Sequence, residues 1–370
     1  MVTILQELRS WLIVSWILFQ YLLYRFGLRS CPTFMNHRPE CKQVIGRILG
    51  WPSHLRISGA EHCPKAHPAI FCCNHFKKDD PFEVEASIYE ASDHQIWVIP
   101  MMRDDFFKSH HKTFLYDPDE LINMFGTLRI SRQKVTLSQL KPFVELLRSG
   151  GSFLIFPGRT RSQSGLLFEY REGFEEPGGP SFFAAQAQRS RPELRVALEP
   201  VARSYNPATR MSTVSFGDPL YLEGASDRGA QRALDFRIIE EIGRIFEINT
   251  SHIVAVFVYL HELHQCRQPL TVGFLETAVL KVVETIHPCR RIAPEVFQNL
   301  NRDLRKTLRY FERRGLVRIH KDAVLPDTEA VLRVPPWDRT YREVNPIKFL
   351  CNQVLHMADL IRVVEDVLLP

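Results

Sequence analysis

Apolar runs separated by turn signals predict that strands and helices alternate between about residues 52 and 220. The helices are predicted from Pro81 to about Glu90 and over 135–148, where apolar residues recur on one face. Alternating strands and helices are typical of an α/β fold with a mixed, mainly parallel sheet flanked by helices. The short apolar runs that predict strands lie at 55–59, 68–73, 95–100, 127–132, 152–156, 196–202 and 212–216.

The N-terminal apolar run, Trp11 to Leu23, lies between Arg9 and Arg25. It is too short for an ordinary transmembrane helix, which needs about 20 apolar residues. Trp, Tyr and Arg at its edges predict a helix that lies in the membrane interface. The alternative is a helix buried against the rest of the protein.

From about residue 225 the pattern predicts mostly helices, so we expect three parts: a membrane-associating helical arm over 1–48, a central domain over 49–224 and a mostly helical domain over 225–370. One C-terminal helix, Pro294 to Arg314, carries six basic residues and precedes a predicted strand, as in winged-helix DNA-binding units. Asp303 and Glu312 interleave with these residues and favour a solvated face of mixed charge.

Charge and cysteine content narrow the range of binding partners and cellular compartments. The 47 basic and 42 acidic residues give a net charge of +5, which does not single out nucleic acid and is compatible with an anionic substrate or membrane surface. The eight cysteines show no metal-binding spacing, which indicates reduced thiols in a cytosolic setting. We therefore expect a protein on the cytoplasmic face of a membrane, without a nucleic-acid partner.

Two loops carry candidate chemistry. His75 and Asp80 follow the predicted strand at 68–73, on a strand-to-helix loop of the kind that often holds active sites in α/β enzymes. We expect Asp80 to cap the next helix, with Glu83 reaching back to the cap. The loop at 157–165 contains glycines, two arginines and three hydroxyls, a combination suited to an oxyanion or phosphate. A solvated basic loop is the alternative there.

Four blocks, in order over about residues 50–222, resemble those of the glycerolipid acyltransferase superfamily, which includes 1-acylglycerol-3-phosphate and glycerol-3-phosphate acyltransferases. His75 and Asp80 match the family's histidine, four residues, then aspartate. Gly126 to Arg132 is similar to its Gly-and-Arg block, and Phe156 to Ser162 to its Phe-Pro-Glu-Gly-Thr-Arg-Ser block. Pro200-Val201 resembles the fourth block.

The resemblance implies acyl transfer from acyl-CoA or an acyl-carrier protein to a hydroxyl of a phosphorylated glycerolipid precursor at a membrane surface. The most favoured acceptor is 1-acylglycerol-3-phosphate. His75 would be the general base, oriented by Asp80. No metal and no cofactor besides the acyl donor is implied. The residues expected to bind substrate are Arg129, Arg132, Gly158, Arg159, Thr160, Arg161, Ser162 and Pro200.

The third block departs from the family pattern. The family's glutamate is Gly158 here, and its glycine is Arg159. The following Ser162-Gln163-Ser164-Gly165 looks more like the glycerol-3-phosphate branch. The sequence therefore leaves two alternatives open: a glycerol-3-phosphate acyltransferase, and a catalytically silent membrane or scaffold homologue.

Overall fold

A single mixed sheet organises the protein. The computed structural model describes residues 4–30, 32, 54–65, 68–77, 80–103, 113, 117, 120, 124, 128–131, 136–158, 161–169, 179–223 and 227–369. Within these residues, the strands of the sheet are β1 Leu55–Ser58, β2 Ala69–Cys73, β3 Val98–Arg103, β4 Leu128–Ile130, β5 Ser152–Ile155, β6 Ala197–Asn206 and β7 Met211–Phe216.

The strand order is β1-β7-β6-β2-β5-β3-β4. Neighbouring strands are parallel except β6 and β7, which run antiparallel. The predicted mixed, mainly parallel α/β sheet is confirmed. Because β2, β5 and β6 are parallel neighbours, their carboxyl ends meet at one edge, and the loops after β2 and β5 lie together there.

Helices cover the sheet and continue beyond it. Those of the sheet region are α2 Asp80–Ala91, α3 Leu137–Arg148 and α4 Pro180–Gln188. The later described elements are α5 Arg228–Ile245, α6 Thr250–Leu263, α7 Val272–Ile286, α8 Pro294–Gln298, α9 Leu300–Arg313, a hairpin of β8 Val317–His320 and β9 Ala323–Pro326, α10 Thr328–Leu332, α11 Tyr341–Val344, α12 Pro346–Gln353 and α13 Ala358–Leu368.

Some predicted boundaries are wrong. The strand expected to close at Pro100 continues to Arg103, because β3 pairs with β5 up to Pro100 and with β4 beyond it. The missing N–H of the proline therefore falls where the strand changes partner. The helix predicted over 294–314 breaks at Asn299, whose φ of −137° is not helical. The final apolar segment, 346–368, forms two helices, α12 and α13.

The sheet and the C-terminal helices share one hydrophobic core. Ile70 and Phe153 of the sheet belong to the same buried cluster as Ile253 of α6 and Leu308 of α9. The C-terminal part is mostly helical, as predicted, and it packs on the layer that carries β2 and β6. The expected domain limits at 48 and 224 stay predictions.

The N-terminal helix α1, Ile4–Arg25, has two different faces. Ile17 and Tyr21 pack with Met124, and the Tyr21 hydroxyl accepts a hydrogen bond from the Asp117 N–H at 2.7 Å. Trp11, Leu12, Trp16, Leu18, Phe19 and Leu22 are exposed. None of the helices in the described part of the chain has the length and apolar content to cross a membrane. The expectation that α1 lies in a membrane interface stays a prediction.

Candidate active site

The loop between β2 and α2 is fastened to β6. Asn74 is buried, and its side-chain amide donates to the Arg203 carbonyl at 2.9 Å. The Arg203 N–H donates back to the Asn74 side-chain oxygen at 2.7 Å. These two bonds join residues far apart in sequence, so they hold the loop against the carboxyl end of the sheet.

His75 and Asp80 form a hydrogen-bonded pair on this loop. The His75 Nδ1 lies 3.1 Å from the Asp80 Oδ2, and the histidine side chain keeps 18% of its surface exposed. The same carboxylate oxygen accepts from the N–H groups of Phe76 at 2.5 Å and Lys77 at 2.7 Å. Since an ionised carboxylate can only accept, His75 carries its proton on Nδ1 and leaves Nε2 as the basic nitrogen.

The expected helix cap is wrong. The Asp80 carboxylate points back at the amides of residues 76 and 77 rather than forward at the first turn of α2. Glu83 does not reach back to Asp80, because its carboxylate binds Arg203 instead. Both acidic side chains at the start of α2 are therefore committed to a charge network that the helix-capping pattern did not predict.

Arg203 is the centre of this network, and sequence reasoning missed it. Its side chain is fully buried; Nη1 lies 2.9 Å from the Asp80 Oδ1, and Nε and Nη2 lie 2.8 and 2.6 Å from the Glu83 Oε2. Nη2 also donates to the Ser212 hydroxyl at 3.1 Å. Arg203 therefore holds the Asp80 carboxyl by the oxygen that does not contact His75.

Burial alone would raise the pKa of Asp80. The guanidinium of Arg203 and the hydrogen bonds from His75 and the Lys77 N–H outweigh it and hold that pKa well below its usual range. Asp80 is thus a permanent anion at neutral pH. A carboxylate fixed at both oxygens keeps the imidazole in one tautomer and in one orientation, as general-base chemistry requires.

The loop after β5 forms the second wall of the site. The Phe156 ring stacks on the His75 ring, with centroids 4.3 Å apart and planes 24° apart. The Ser162 N–H donates to the His75 carbonyl at 2.8 Å. The first and third sequence blocks are therefore in direct contact. The Ser162 hydroxyl is buried and accepts from the Gly165 N–H at 2.9 Å, so it shapes the turn.

The other residues predicted to bind substrate do not all lie near His75. Arg161 is half-buried on this loop, and Gly158 is buried against the Phe168 ring. Pro200 is buried inside β6, opposite Cys72. Arg129 lies on β4, which is separated from β2 by β5 and β3. Gly126, Arg132, Arg159 and Thr160 lie outside the described residues.

The C-terminal segment fastens the second wall. The Tyr341 N–H donates to the Gln163 carbonyl at 3.0 Å, and the Asn352 side chain donates to the Ser164 carbonyl at 2.9 Å. Gly165 has φ +95°, and a Cβ there would come within 2.2 Å of the Phe349 carbonyl oxygen. Only glycine fits such a position. Residues 341–352 therefore fix the shape of the loop.

Lys77, Tyr205 and Tyr310 extend the site outward. The Lys77 Nζ lies 3.1 Å from the Tyr205 ring centroid, a cation–π contact, and Lys77 is 7% exposed. Burial raises the pKa of Tyr205 and that of Tyr310, and the charge of Arg342 opposes the rise at both. A C-terminal arginine therefore acts on the same surroundings as Lys77. Positive charge therefore lies close to the loop that carries His75.

Strand β6, which carries Arg203, also carries a buried carboxyl group that has no hydrogen-bond partner in the described structure. Glu199 is fully buried in β6, and neither carboxylate oxygen has a hydrogen-bond partner in the described structure. Burial, and secondarily the charge of Asp218, raise its pKa to about 9. Glu199 is therefore neutral at pH 7 while Asp80, also buried, is charged. The difference is that Asp80 has an arginine beside it.

Comparisons with known proteins give one family match and a similar solved structure. A family model described as Acyltransferase matches residues 54–177. Among solved structures, the chain is similar to the 1-acyl-sn-glycerophosphate (LPA) acyltransferase PlsC from Thermotoga maritima, at 14% identity and a TM-score of 0.36, covering 63% of this chain and 92% of that chain. No curated protein matches the chain.

The matched segment runs from β1 past the loop after β5, so it contains both walls of the site. His75, Asp80 and Phe156 all lie within it, and they are in contact in the structure. The resemblance drawn from the sequence blocks is confirmed over residues 54–177, the segment that the family model described as Acyltransferase matches.

Proposed function

We propose that the protein transfers an acyl group from a thioester donor, acyl-CoA or an acyl-carrier protein, to a hydroxyl of a phosphorylated glycerolipid precursor, with 1-acylglycerol-3-phosphate as the favoured acceptor. The observation that carries the proposal is the His75–Asp80 pair within the segment that matches the acyltransferase family. The positive charges of Lys77, which contacts Tyr205, and of Arg342, which acts on the same tyrosine, support a phosphorylated acceptor.

The proposed reaction uses His75 as the general base. The Nε2 nitrogen takes the proton of the acceptor hydroxyl as its oxygen attacks the thioester carbonyl carbon. Asp80 keeps the other nitrogen protonated and stabilises the imidazolium. The tetrahedral intermediate collapses with cleavage of the carbon–sulfur bond, and the leaving thiolate recovers the proton from Nε2. The products are the new ester and the free thiol.

The oxyanion of the intermediate needs hydrogen-bond donors. The N–H groups of Phe76 and Lys77 are already bound to Asp80. We therefore assign the oxyanion to amides of the loop after β5 or of the first turn of α2. The acceptor phosphate would lie near Lys77 and Arg161. The exposed apolar face of α1 supports action at a membrane surface.

The decisive experiment is transfer of a radiolabelled acyl group by purified protein to a panel of acceptors that includes 1-acylglycerol-3-phosphate and glycerol 3-phosphate. We expect His75→Ala to abolish transfer while its thermal unfolding matches wild type. Preference for glycerol 3-phosphate would move the assignment to that branch. A folded wild type without activity on any acceptor, or full activity of His75→Ala, would favour the catalytically silent alternative, which the replacement of the family's glutamate by Gly158 motivates.

A further inference from the structure

The elements between residues 250 and 326 follow one another in a defined order. They are α6, a short extended segment at Thr271, α7, the short α8, α9 and the β8–β9 hairpin. Thr271 pairs antiparallel with Ala323 of β9, which also pairs with β8. The Val324 N–H donates to the Leu270 carbonyl at 2.9 Å. The extended segment therefore lies beside β9 and extends the hairpin by a third, very short strand.

This order is that of a winged helix-turn-helix unit: a helix, a strand, two helices, and a hairpin whose second strand pairs with the first strand. Helix α9 has the position of the recognition helix, and the β8–β9 hairpin has the position of the wing. The helix predicted over 294–314 hid this order, because it joined α8 to α9. The fold alone assigns no ligand, so the surface of the unit must do so.

Helix α9 buries its apolar side and exposes a basic side, which we call the basic face. Leu304, Leu308 and Phe311 are fully buried in the core that α9 shares with α7 and β9. Five exposed basic side chains lie on the opposite side and, at 3.6 residues per turn, span roughly 100° of the helix surface. The members of the basic face are Arg302, Arg305, Lys306, Arg309 and Arg313.

The two acidic residues of α9 do not cancel the basic face. Asp303 is fully buried on the core side, and its Oδ1 lies 3.0 Å from the Arg302 Nε. Glu312 is exposed beside the face, and its carboxylate accepts from the Ile319 N–H of β8 at 2.9 Å. The mixed charge expected from the sequence is therefore limited to Glu312, which fastens the hairpin to the last turn of α9.

The rest of the basic face has little compensating charge. Arg305 lies 3.6 Å from a carboxylate oxygen of Glu276 on α7. Like-charged neighbours at this helical spacing repel each other by about 0.2–0.5 kcal/mol a pair, and an anionic partner that covers the helix removes the repulsion. Among the described residues, no carboxylate lies within ion-pair distance of the three remaining members, Lys306, Arg309 and Arg313.

The hairpin adds two more positive charges. Arg318 of β8 and Lys321 of the turn are both exposed, and in the described part of the chain neither has a carboxylate within ion-pair distance. Because the bond between Glu312 and the Ile319 N–H joins β8 to the last turn of α9, these charges lie close to the carboxyl end of the basic face. Recognition helix and wing therefore both carry positive charge.

The geometry favours duplex DNA over an anionic membrane as the partner. The major groove is about 12 Å wide and admits an α-helix, whose basic side chains can then reach the phosphates that border the groove. A helix that binds a membrane surface inserts its apolar face among the lipids. The apolar side of α9 is instead buried in the core of the protein, so only its charged side is offered to a partner.

We infer that residues 250–326 are a winged-helix unit that binds duplex DNA, with α9 in the major groove and the β8–β9 hairpin against the neighbouring backbone. This activity goes beyond the proposed acyl transfer and does not depend on it. It departs from the expectation that the protein has no nucleic-acid partner. That expectation used the net charge of +5 for the whole chain, whereas DNA responds to the local charge of the surface that it meets.

The test titrates a fluorescently labelled, mixed-sequence duplex with the full-length protein between about 50 and 200 mM salt. Each phosphate contact contributes about −0.9 to the slope of log K against log salt, so the seven basic side chains of α9 and the hairpin give a slope of up to about −6. In the α9 variant, Lys306→Ala, Arg309→Ala and Arg313→Ala are combined. We expect weaker binding and a slope shallower by about 3 units. Its thermal unfolding should match wild type, since alanine favours the helix and the lost charges repel one another.

A hairpin variant tests the wing separately. Arg318→Ala combined with Lys321→Ala should make the slope shallower by about 2 units, because two phosphate contacts are lost. A slope that the hairpin variant leaves unchanged would overturn the assignment of the hairpin as a wing.

The matched control replaces three exposed arginines outside the unit by alanine, so that it has the same net charge as the α9 variant. It should bind duplex with the affinity and slope of wild type, because charges beyond a Debye length are screened. Wild type without salt-dependent duplex binding, or an equal loss in the control and the α9 variant, would overturn the inference. The control positions are Arg189, Arg228 and Arg237.

Two further ligands separate duplex DNA from other polyanions. Phosphatidylglycerol vesicles and single-stranded RNA are titrated with wild type and the α9 variant under the same conditions. A loss in the α9 variant that is confined to vesicles, or RNA binding as tight as duplex binding, would overturn the inference. The titrations contain no acyl donor or acceptor, so duplex binding that the α9 substitutions weaken supports the inference even if the protein transfers no acyl group.

Discussion

Replacing Arg203 by methionine should strongly destabilise the protein, because two buried carboxylates lose their counter-charge. Arg203 makes contacts of 2.9 Å to Asp80 and of 2.6 and 2.8 Å to Glu83, and its own side chain is fully buried. Removing one partner of a buried ion pair costs about 3–5 kcal/mol. We expect the free energy of unfolding in urea to fall by that amount.

A second substitution keeps the reasoning testable if Arg203→Met folds poorly. Glu83→Gln removes one of the two stranded charges, so Arg203→Met/Glu83→Gln should recover about 1–3 kcal/mol relative to Arg203→Met alone. The two substitutions should thus be coupled by at least about 1 kcal/mol in a double-mutant cycle. Additive effects, or an Arg203→Met variant as stable as wild type, would refute the reasoning.

The same variants report on catalysis. Without Arg203, only the hydrogen bonds from His75 and the Lys77 N–H oppose the effect of burial, so the pKa of Asp80 rises and its carboxylate becomes protonated at a higher pH. A protonated Asp80 no longer holds the His75 Nδ1 in its donor form. The folded double variant should therefore lose activity at a higher pH than wild type as the pH falls, and kcat should drop about 10–100-fold, part of the usual contribution of a general base. The measurement is kcat/KM between pH 5 and 8. An unchanged acid limb would show that Arg203 has only a structural role.

Three further predictions follow from single positions or segments. Glu199 has a raised pKa in the folded state, so its contribution to stability is full below about pH 4.5 and is lost as the pH rises towards about 9. The unfolding free energy of Glu199→Gln minus that of wild type should therefore grow by up to about 1.4 kcal/mol per pH unit in this range, and a difference that does not change with pH would contradict this. Gly165→Ala should destabilise the protein by more than about 2 kcal/mol and impair acyl transfer, because the new Cβ meets the Phe349 backbone. Gly150→Ala is the control: it also has a positive φ but nothing within 4 Å of the new Cβ, so it should cost only about 1 kcal/mol, and equal losses in the two variants would contradict the steric argument. Deletion of residues 1–30 should reduce sedimentation with anionic vesicles, and full retention would show that α1 is not the anchor.

The sequence predicts the sheet well because buried parallel strands are nearly continuous apolar runs. Ile70 to Cys73 and Phe153 to Ile155 stand out for that reason, and both are fully buried. The loops that follow them could also be predicted, since loops at the carboxyl ends of strands carry chemistry. The contact between the His75 and Phe156 rings follows from that topology once the strand order is known.

Arg203 could not be predicted, because an arginine in a strand pattern normally points to solvent or an edge. Its burial depends on carboxylates that lie some 120 positions earlier, and no local pattern joins them. The sequence signal for this arginine lies in its partners. Asp80 and Glu83 begin a helix whose first turn is buried, and buried carboxylates need a cation. The helix-capping pattern accounts for both residues without a cation, so it hides this signal.

The bonds from Tyr341 and Asn352 to the loop after β5 have a consequence for how the protein is made. Residues 54–177 leave the ribosome well before residues 341–352, so the family-matched segment is synthesised without the hydrogen bonds that shape one wall of its site. A nascent or prematurely terminated chain therefore has the Ser162–His75 hydrogen bond available, but not the bonds that hold Gln163 and Ser164 from the C-terminal side. The last contacts of the second wall therefore form only after residues 341–352 have been synthesised.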